Sequence, residues 1–308
     1  MSKPGTGGFL RLNNGLPPRL HITADDDEFD DELLHHFRTE GFDVTYLPYN
    51  HTNPKAYITE LKHLADDLEL GESYAIVAFN QAAATCLDFH VSPQPKLAAL
   101  VCYYPNHLPS PKAKFPPHLD VLVHLAGNQP FAPAVHSYSY KNALVGFAEH
   151  DLETFDKIAA GLAWTRTLGV LRKAFKMEDK TRELEGLREG FAEQAYGVKN
   201  ADGVMKMMVE DPYVNCVPTM TGGIGHHDLL LFYRDYFIPK NPPSLSIKLV
   251  SRTIGTDQVV DEMIVSFKHT QEVPWLLPGV QATNKVVHIA VVSIVAMRGG
   301  KLGCLIPS

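Results

Sequence analysis

The side chains best suited to chemistry in this 308-residue chain fall in its last third. Side chains alternate between the two faces of a strand. From Gln258 onward that alternation puts Val259, Asp261, Met263, Val265, Phe267 and His269 in one row. Val260, Glu262, Ile264, Ser266, Lys268 and Thr270 form the other. The first row is the more apolar and predicts an inward face carrying one carboxyl and one imidazole. Apolar surroundings raise a carboxyl pKa or lower an imidazole pKa toward neutrality, as proton transfer beside a carbonyl requires. Asp261 and His269 are therefore the candidate catalytic pair. Tyr213 and Asn215 share a face by the same rule and could hydrogen-bond a ligand carbonyl. Trp275 either plugs the sheet or stacks on the ligand. His226 and His227 open a helix, where neighbours stand about 100° apart and do not readily share one metal ion.

A second position has the right setting but the wrong residue. Tyr74 to Phe79 reads as a buried strand that runs straight into a helix. Such a turn is where a Ser or Cys nucleophile is presented, in the pattern Gly-x-Ser/Cys-x-Gly. Here the frame is Ala78-Phe79-Asn80-Gln81-Ala82. The amide of Asn80 has no ionisable proton to give up. Cys86 lies more than one turn further into the helix, where a buried thiol is inert.

The elements that hold these residues follow from periodicity. In the first half, strand patterns cover 19–24, 43–48, 74–79, 97–104 and 120–126. Helical patterns cover 25–40, 54–68 and 80–89, with Asp25 and Glu28 spaced as a capping box. Strands alternating with helices predict a mostly parallel α/β sheet. One long helix over 151–177 closes this part, and the charged run 176–182 marks the boundary. The second half begins with helices over 181–197, 201–210 and 226–237, an extended piece over 211–218 and a turn at 222–225. Long strands follow over 244–254, 258–272 and 285–297. Helices followed by long antiparallel strands predict α+β. The expected division is a flexible lead-in over 1–18, an α/β domain over 19–178 and an α+β domain over 179–308.

Composition narrows the function classes. The net charge of -7 argues against a general nucleic-acid binder, which needs a basic face. No apolar run reaches the roughly 18 residues of a membrane span. Residues 1–8 lack the apolar core of a secretory signal. The four cysteines (Cys86, Cys102, Cys216, Cys304) form no CxxC pair, which predicts free thiols and a cytoplasmic protein. HExxH and Gly-rich phosphate motifs are lacking, so neither a metal nor another cofactor is expected.

Two resemblances add to this reading. The elbow at Asn80, the run Val121-Leu-Val-His-Leu-Ala-Gly127 and Gly146-Phe147-Ala148 resemble the dienelactone hydrolase family. The resemblance implies a truncated α/β-hydrolase-like domain whose triad positions fall at Asn80, Asn128 (or Gln129) and Val145, none of them catalytic. The runs Pro212-Tyr-Val-Asn215, Pro218-Thr-Met-Thr-Gly-Gly223, Phe237 to Pro243 and Val265 to Trp275 resemble fungal proteins that join such a segment to a SnoaL-like domain. That group is of the nuclear transport factor 2-like type. It implies a cone-shaped α+β domain with a pocket for a small hydrophobic carbonyl ligand. It also implies a homodimer through the C-terminal sheet. Relatives carry His where this chain has Cys216, and they continue into a final polar strand that the ending Gly303-Cys-Leu-Ile-Pro-Ser308 does not supply. A cone lacking its usual final strand is therefore expected. The function implied is cofactor-free acid/base catalysis of the cyclase or isomerase type on an aromatic or polyketide-like carbonyl compound. The alternatives are a binding or dimerisation scaffold and a dienelactone or ester hydrolase.

Overall fold

The computed structural model describes residues 16–131 and 135–307, the last four by their backbone alone. Most of the expected lead-in, and the Cys304 side chain, lie outside the described residues. The chain divides into two compact units, Met1–Glu178 and Asp179–Ser308.

The first unit carries a six-stranded sheet, every pair of it parallel. Its strands are β1 (Arg19–Ala24), β2 (Asp43–Pro48), β3 (Tyr74–Phe79), β4 (Leu97–Tyr103), β5 (Asp120–Ala126) and β6 (Ser137–Tyr140), in spatial order 2-1-3-4-5-6. β3 is buried along its whole length, as expected of a strand with helices on both faces. The helices are α1 (Asp31–Thr39), α2 (Pro54–His63), α3 (Asn80–His90) and α4 (Lys157–Ala174). Three of them start on a side-chain cap: Asp30 for α1, Asn53 for α2 and Asp156 for α4.

Asp25 does not open α1, as its spacing to Glu28 predicts. Asp30 accepts the N–H of Leu33 and takes that role. Asp25 instead accepts the N–H groups of Gln81 and Ala82 at the start of α3, where Phe79 offers no side-chain cap. A tertiary partner wins over local spacing because the unpaired donors of α3 sit beside the end of β1.

The second unit carries another six-stranded sheet, in order β8-β7-β12-β11-β10-β9. Its strands are β7 (Met208–Cys216), β8 (Thr221–Ile224), β9 (Ser246–Ile254), β10 (Gln258–Lys268), β11 (Val286–Arg298) and β12 (Lys301–Pro307). Its helices are α5 (Thr181–Ala192), α6 (Ala201–Lys206) and α7 (Gly225–Leu231). α5 runs into a π turn at Glu193–Gly197 and α7 into another at Phe232–Phe237.

Three expectations change here. The sheet is not left without its last strand: β12 pairs parallel with β7 on one side and antiparallel with β11 on the other. The residues after Gly300 are too few and too mixed to read as a strand alone, and the two neighbouring ladders supply the partners. The expected helix over 201–210 stops at Lys206, and β7 begins at Met208. The glycines at 222–225 form β8 as well as a turn. Gly222 sits at φ +143°, and a Cβ there would come within 1.9 Å of the Val214 carbonyl oxygen, so only glycine lets β8 lie against β7.

Buried polar groups of the first unit give it a pH dependence. His124 is fully buried in β5, with Nδ1 2.9 Å from Tyr140 Oη and Nε2 2.9 Å from Thr167 Oγ1. Burial, aided by the charges of Arg166 and His136, pulls its pKa down to about 3. Burial also takes His21 and His90 down to about 4. All three imidazoles are neutral in the fold and pick up a proton below about pH 6.5 once unfolded. Stability is therefore full above about pH 6.5 and falls with pH below it, by up to about 1.4 kcal/mol per pH unit for each histidine. We expect His124→Gln to flatten the slope of unfolding free energy between pH ~6 and ~4.5, by up to about 1.4 kcal/mol per pH unit, measured by urea denaturation. An unchanged slope would refute a neutral, buried His124.

Candidate functional site

The second unit closes its helices over its sheet around a narrow pocket. Phe191, Phe232, Phe237 and Trp275 supply aromatic wall, and Val214, Met263, Val265 and Val291 supply aliphatic wall. Both π turns contribute to it, through Tyr196 and through Phe232, Tyr233 and Phe237. A π turn is a costly local irregularity, and such turns recur at functional sites.

The polar groups in this wall are few. Arg188 lies on the stripe of α5 that also buries Leu184 and Phe191. Its Nε stands 2.9 Å from Asp261 Oδ2, and its Nη1 has no hydrogen-bond partner. Tyr233 Oη is likewise buried without a partner. Burial holds the Tyr233 pKa well above the usual phenol range and pushes Tyr196 up to about 12, so both keep their protons at neutral pH. Cys216 and Ser293 complete the polar lining. Burial raises the Cys216 thiol as well, which makes it a poor nucleophile.

Asp261 stands behind this wall. Its two oxygens receive Arg252 Nε at 2.7 Å and Nη2 at 3.1 Å, a two-pronged contact, while Arg188 approaches one of them. Arg252 also reaches Glu185 at 3.1 Å and Glu189 at 3.4 Å on α5. A carboxylate held by two guanidiniums is an anchor and not a free base.

The alternation expected along β10 holds: Val259, Asp261, Met263, Val265 and Phe267 are buried, and Met263 and Val265 reach the pocket. Asp261 and His269 share that face, but eight residues of extended chain separate them by roughly 26 Å, too far to act on one atom. His269 is buried past the end of the strand, with Nδ1 3.1 Å from Thr283 Oγ1 and its ring against Phe267. Neither residue lines the pocket. Tyr213 and Asn215 sit on the half-exposed face of β7, opposite Val214 and Cys216, which do line it. Polarity selected the wrong face there. Trp275 lines the pocket, and its Nε1 donates to Asn241 Oδ1 at 2.8 Å, so it is both plug and wall.

The sequence reading missed Arg188 and Tyr233. A signal existed for the first: an arginine four residues after Leu184 and three before Phe191 sits inside an apolar stripe, where a charge needs a partner.

In the first unit Asn80 has φ +48°, the left-handed backbone of a tight strand-to-helix turn. Its Nδ2 donates to Asp25 Oδ2 at 2.9 Å, and the same carboxylate takes the following backbone N–H groups. Asn128 is exposed, and Val145 packs on the edge of the core. Gln129 accepts from Ala126 N and donates to the Pro105 carbonyl, tying down its loop. Cys86 is fully buried 3.3 Å from Tyr57 Oη, and burial pushes its thiol up to about 12.

No protein-family model and no curated protein matches the chain. Solved structures do resemble part of it. One is a protein assigned as a SnoaL-like polyketide cyclase from Jannaschia sp. CCS1, at 13% identity over 42% of this chain and 88% of its own, TM-score 0.37. Another is an LEH-like epoxide hydrolase from M. tuberculosis, at 12% identity over 42% of this chain and 84% of its own, TM-score 0.32. A third is an NTF2-like protein of unknown function from Cytophaga hutchinsonii, at 11% identity over 40% of this chain and 96% of its own, TM-score 0.31. Among the described residues no helix is long and apolar enough to cross a membrane.

The anchor role of Asp261 makes a specific demand. Removing its charge leaves buried Arg188 without its counter-ion, while Arg252 keeps Glu185 and Glu189; breaking a buried pair in this way costs about 3–5 kcal/mol. We expect Asp261→Asn to lower the stability of the second unit by that order in urea denaturation followed by Trp275 fluorescence. A free, solvated acid would give a near-neutral substitution instead.

Proposed function

We propose that the second unit is a cofactor-free site for a flat, apolar carbonyl compound, of the cyclase or isomerase type. The observation that carries this reading is the pair of unpartnered donors, Arg188 Nη1 and Tyr233 Oη, in an otherwise apolar wall. Unpaired buried donors are costly, and a ligand oxygen relieves that cost. When the proton on the carbon beside a carbonyl passes to a base from solvent at the pocket mouth, charge grows on the oxygen. Two fixed donors aimed at that oxygen stabilise the enolate more than the ketone. Tyr233 keeps its proton, so it acts as a donor throughout. Asp261 is then a positioning residue that aims Arg188, and His269 supports the fold.

The test is binding of acetophenone and of salicylate, followed by calorimetry, together with deuterium exchange beside the carbonyl of a 1,3-diketone, followed by proton NMR. Arg188→Met should cut affinity for salicylate at least tenfold and abolish exchange, since it keeps the volume and leaves Asp261 paired with Arg252. Tyr213→Phe and His269→Gln should leave both unchanged. Equal binding by wild type and Arg188→Met would sink this assignment.

For the first unit we propose a hydrolase-like scaffold without a nucleophile. Two features support it: an amide at the elbow, and the Asp25 carboxylate on the backbone N–H groups that an oxyanion would need. The buried, protonated thiol of Cys86 does not replace the missing group.

A second reading, dimerisation through the C-terminal sheet, has its own support. The outer row of β11 exposes Val286, Ala290 and Val292. Apolar side chains gathered on an open sheet face mark an association surface. Sedimentation velocity should give a dimer that Val292→Glu converts to monomer. A monomeric wild type at micromolar concentration would rule this out.

A further inference from the structure

Far in sequence from Asn80, three possible ligand atoms converge in the first unit. Glu32 and His36 stand one turn apart on α1, so they share a face. His150, from the segment between β6 and α4, comes up against them. Glu32 Oε1 lies 3.6 Å from His36 Nε2 and 3.5 Å from His150 Nε2, and all three atoms fall within 4.8 Å of one another. A tetrahedral zinc ion with bonds of about 2.0–2.1 Å has its ligand atoms about 3.4 Å apart. The carboxylate is already at that separation from both imidazoles.

The support behind these atoms is more informative than the atoms themselves. Asp30 is the N-cap of α1 and almost fully buried, yet it spends its second oxygen on His150. Asp30 Oδ2 accepts the His150 backbone N–H at 2.6 Å and lies 2.7 Å from His150 Nδ1. With Nδ1 held against the Asp30 carboxylate, Nε2 is the ring nitrogen left facing Glu32. A carboxylate behind a histidine is the arrangement that orients metal-bound imidazoles and raises their basicity. Apolar rings wall the site: Trp164 edges His36 and Phe155 tilts against His150. Glu32 is the exposed member and marks the open side.

We propose that Glu32, His36 and His150 form a zinc site of the open three-ligand kind, with Asp30 as the group that orients His150. Two imidazoles and one carboxylate suit Zn²⁺, whereas calcium and magnesium take oxygen shells. The fourth position faces solvent and takes water or a small anion. Adjacent-motif searches pass over such a site because α1 and the segment around His150 meet only in the fold.

The full chain, stripped with a chelator and dialysed, is titrated with zinc chloride by calorimetry, and metal content is measured by mass spectrometry. One zinc per chain and an upward shift of thermal unfolding are expected, since the ion binds the folded state. Glu32→Gln, at an exposed position, should weaken binding roughly tenfold or more. The double variant His36→Gln/His150→Gln should lose the site. Asp30→Asn keeps a good N-cap residue and should weaken binding by roughly 10–100-fold. A cobalt-loaded chain should show the visible absorption of a tetrahedral ion, absent from the double variant. His226→Gln/His227→Gln is the control and should keep the stoichiometry. The proposal fails if saturable binding is absent, or if affinity is unchanged in both Glu32→Gln and the double variant. If the double variant does not fold, Glu32→Gln alone decides.

Discussion

A single buried carboxylate fixes how the helices of the second unit meet its sheet. Asp261 on β10 receives Arg252 from the neighbouring strand β9 and Arg188 from α5. Arg252 in turn reaches back to Glu185 and Glu189 on the same helix. Charge taken out of water is expensive unless it is paired in good geometry. The rotation of α5 about its own axis is therefore constrained: only one setting brings Arg188 to Asp261 while Leu184 and Phe191 stay in the core. That setting also places Phe191 and Arg188 in the pocket wall, so the shape of the pocket follows from the ion network.

The first unit uses carboxylates in a related way. Asp25 and Asp30 each answer a helix N-terminus, whose first N–H groups have no partner within the helix. Asp25 caps α3 across the sheet edge, and Asp30 caps α1 and grips the His150 segment. Both residues fasten distant parts of the chain together where the strands end and the loops begin. In open parallel sheets this edge is where ligands bind, in the crevice between strands whose connections run in opposite directions. Here β1 and β3 flank that crevice, and the Asp25–Asn80 contact fills it.

How much of this was legible in the sequence depended on how local the cause was. β3 and β4 were readable because a strand buried on both faces is a continuous apolar run between polar breaks, and Tyr74 to Phe79 is the clearest case. The inward row of β10 was readable because alternation is fixed by backbone geometry. The choice of face on β7 was not, because Tyr213 and Asn215 are polar enough to look functional while Val214 and Cys216 do the lining. β12 and β8 owe their existence to neighbours that their own residues do not announce. The π turns carry no sequence mark, yet they bring Tyr196 and Tyr233 into the pocket. Asp25 shows the failure most plainly: a good local capping signal at Glu28 lost to two unpaired N–H groups distant in sequence.

The division of Asp261 between two arginines also bears on what the pocket receives. Arg252 takes both oxygens in a two-pronged contact and has Glu185 and Glu189 besides. Arg188 is left with one oxygen that Arg252 already uses, and the approach lacks the alignment of a hydrogen bond. Its charge is balanced enough to be tolerated in the interior, but its donors are not used up. A neutral hydrocarbon in the pocket would leave Nη1 and Tyr233 Oη as unpaired as before. On the proposed function, a ligand oxygen that is negative, or becomes so during reaction, would pair with these donors and complete the coordination of the less favoured guanidinium. On the proposed function, the asymmetry within the ion network would favour oxygen at one end of the ligand, and the aromatic wall a flat apolar body at the other.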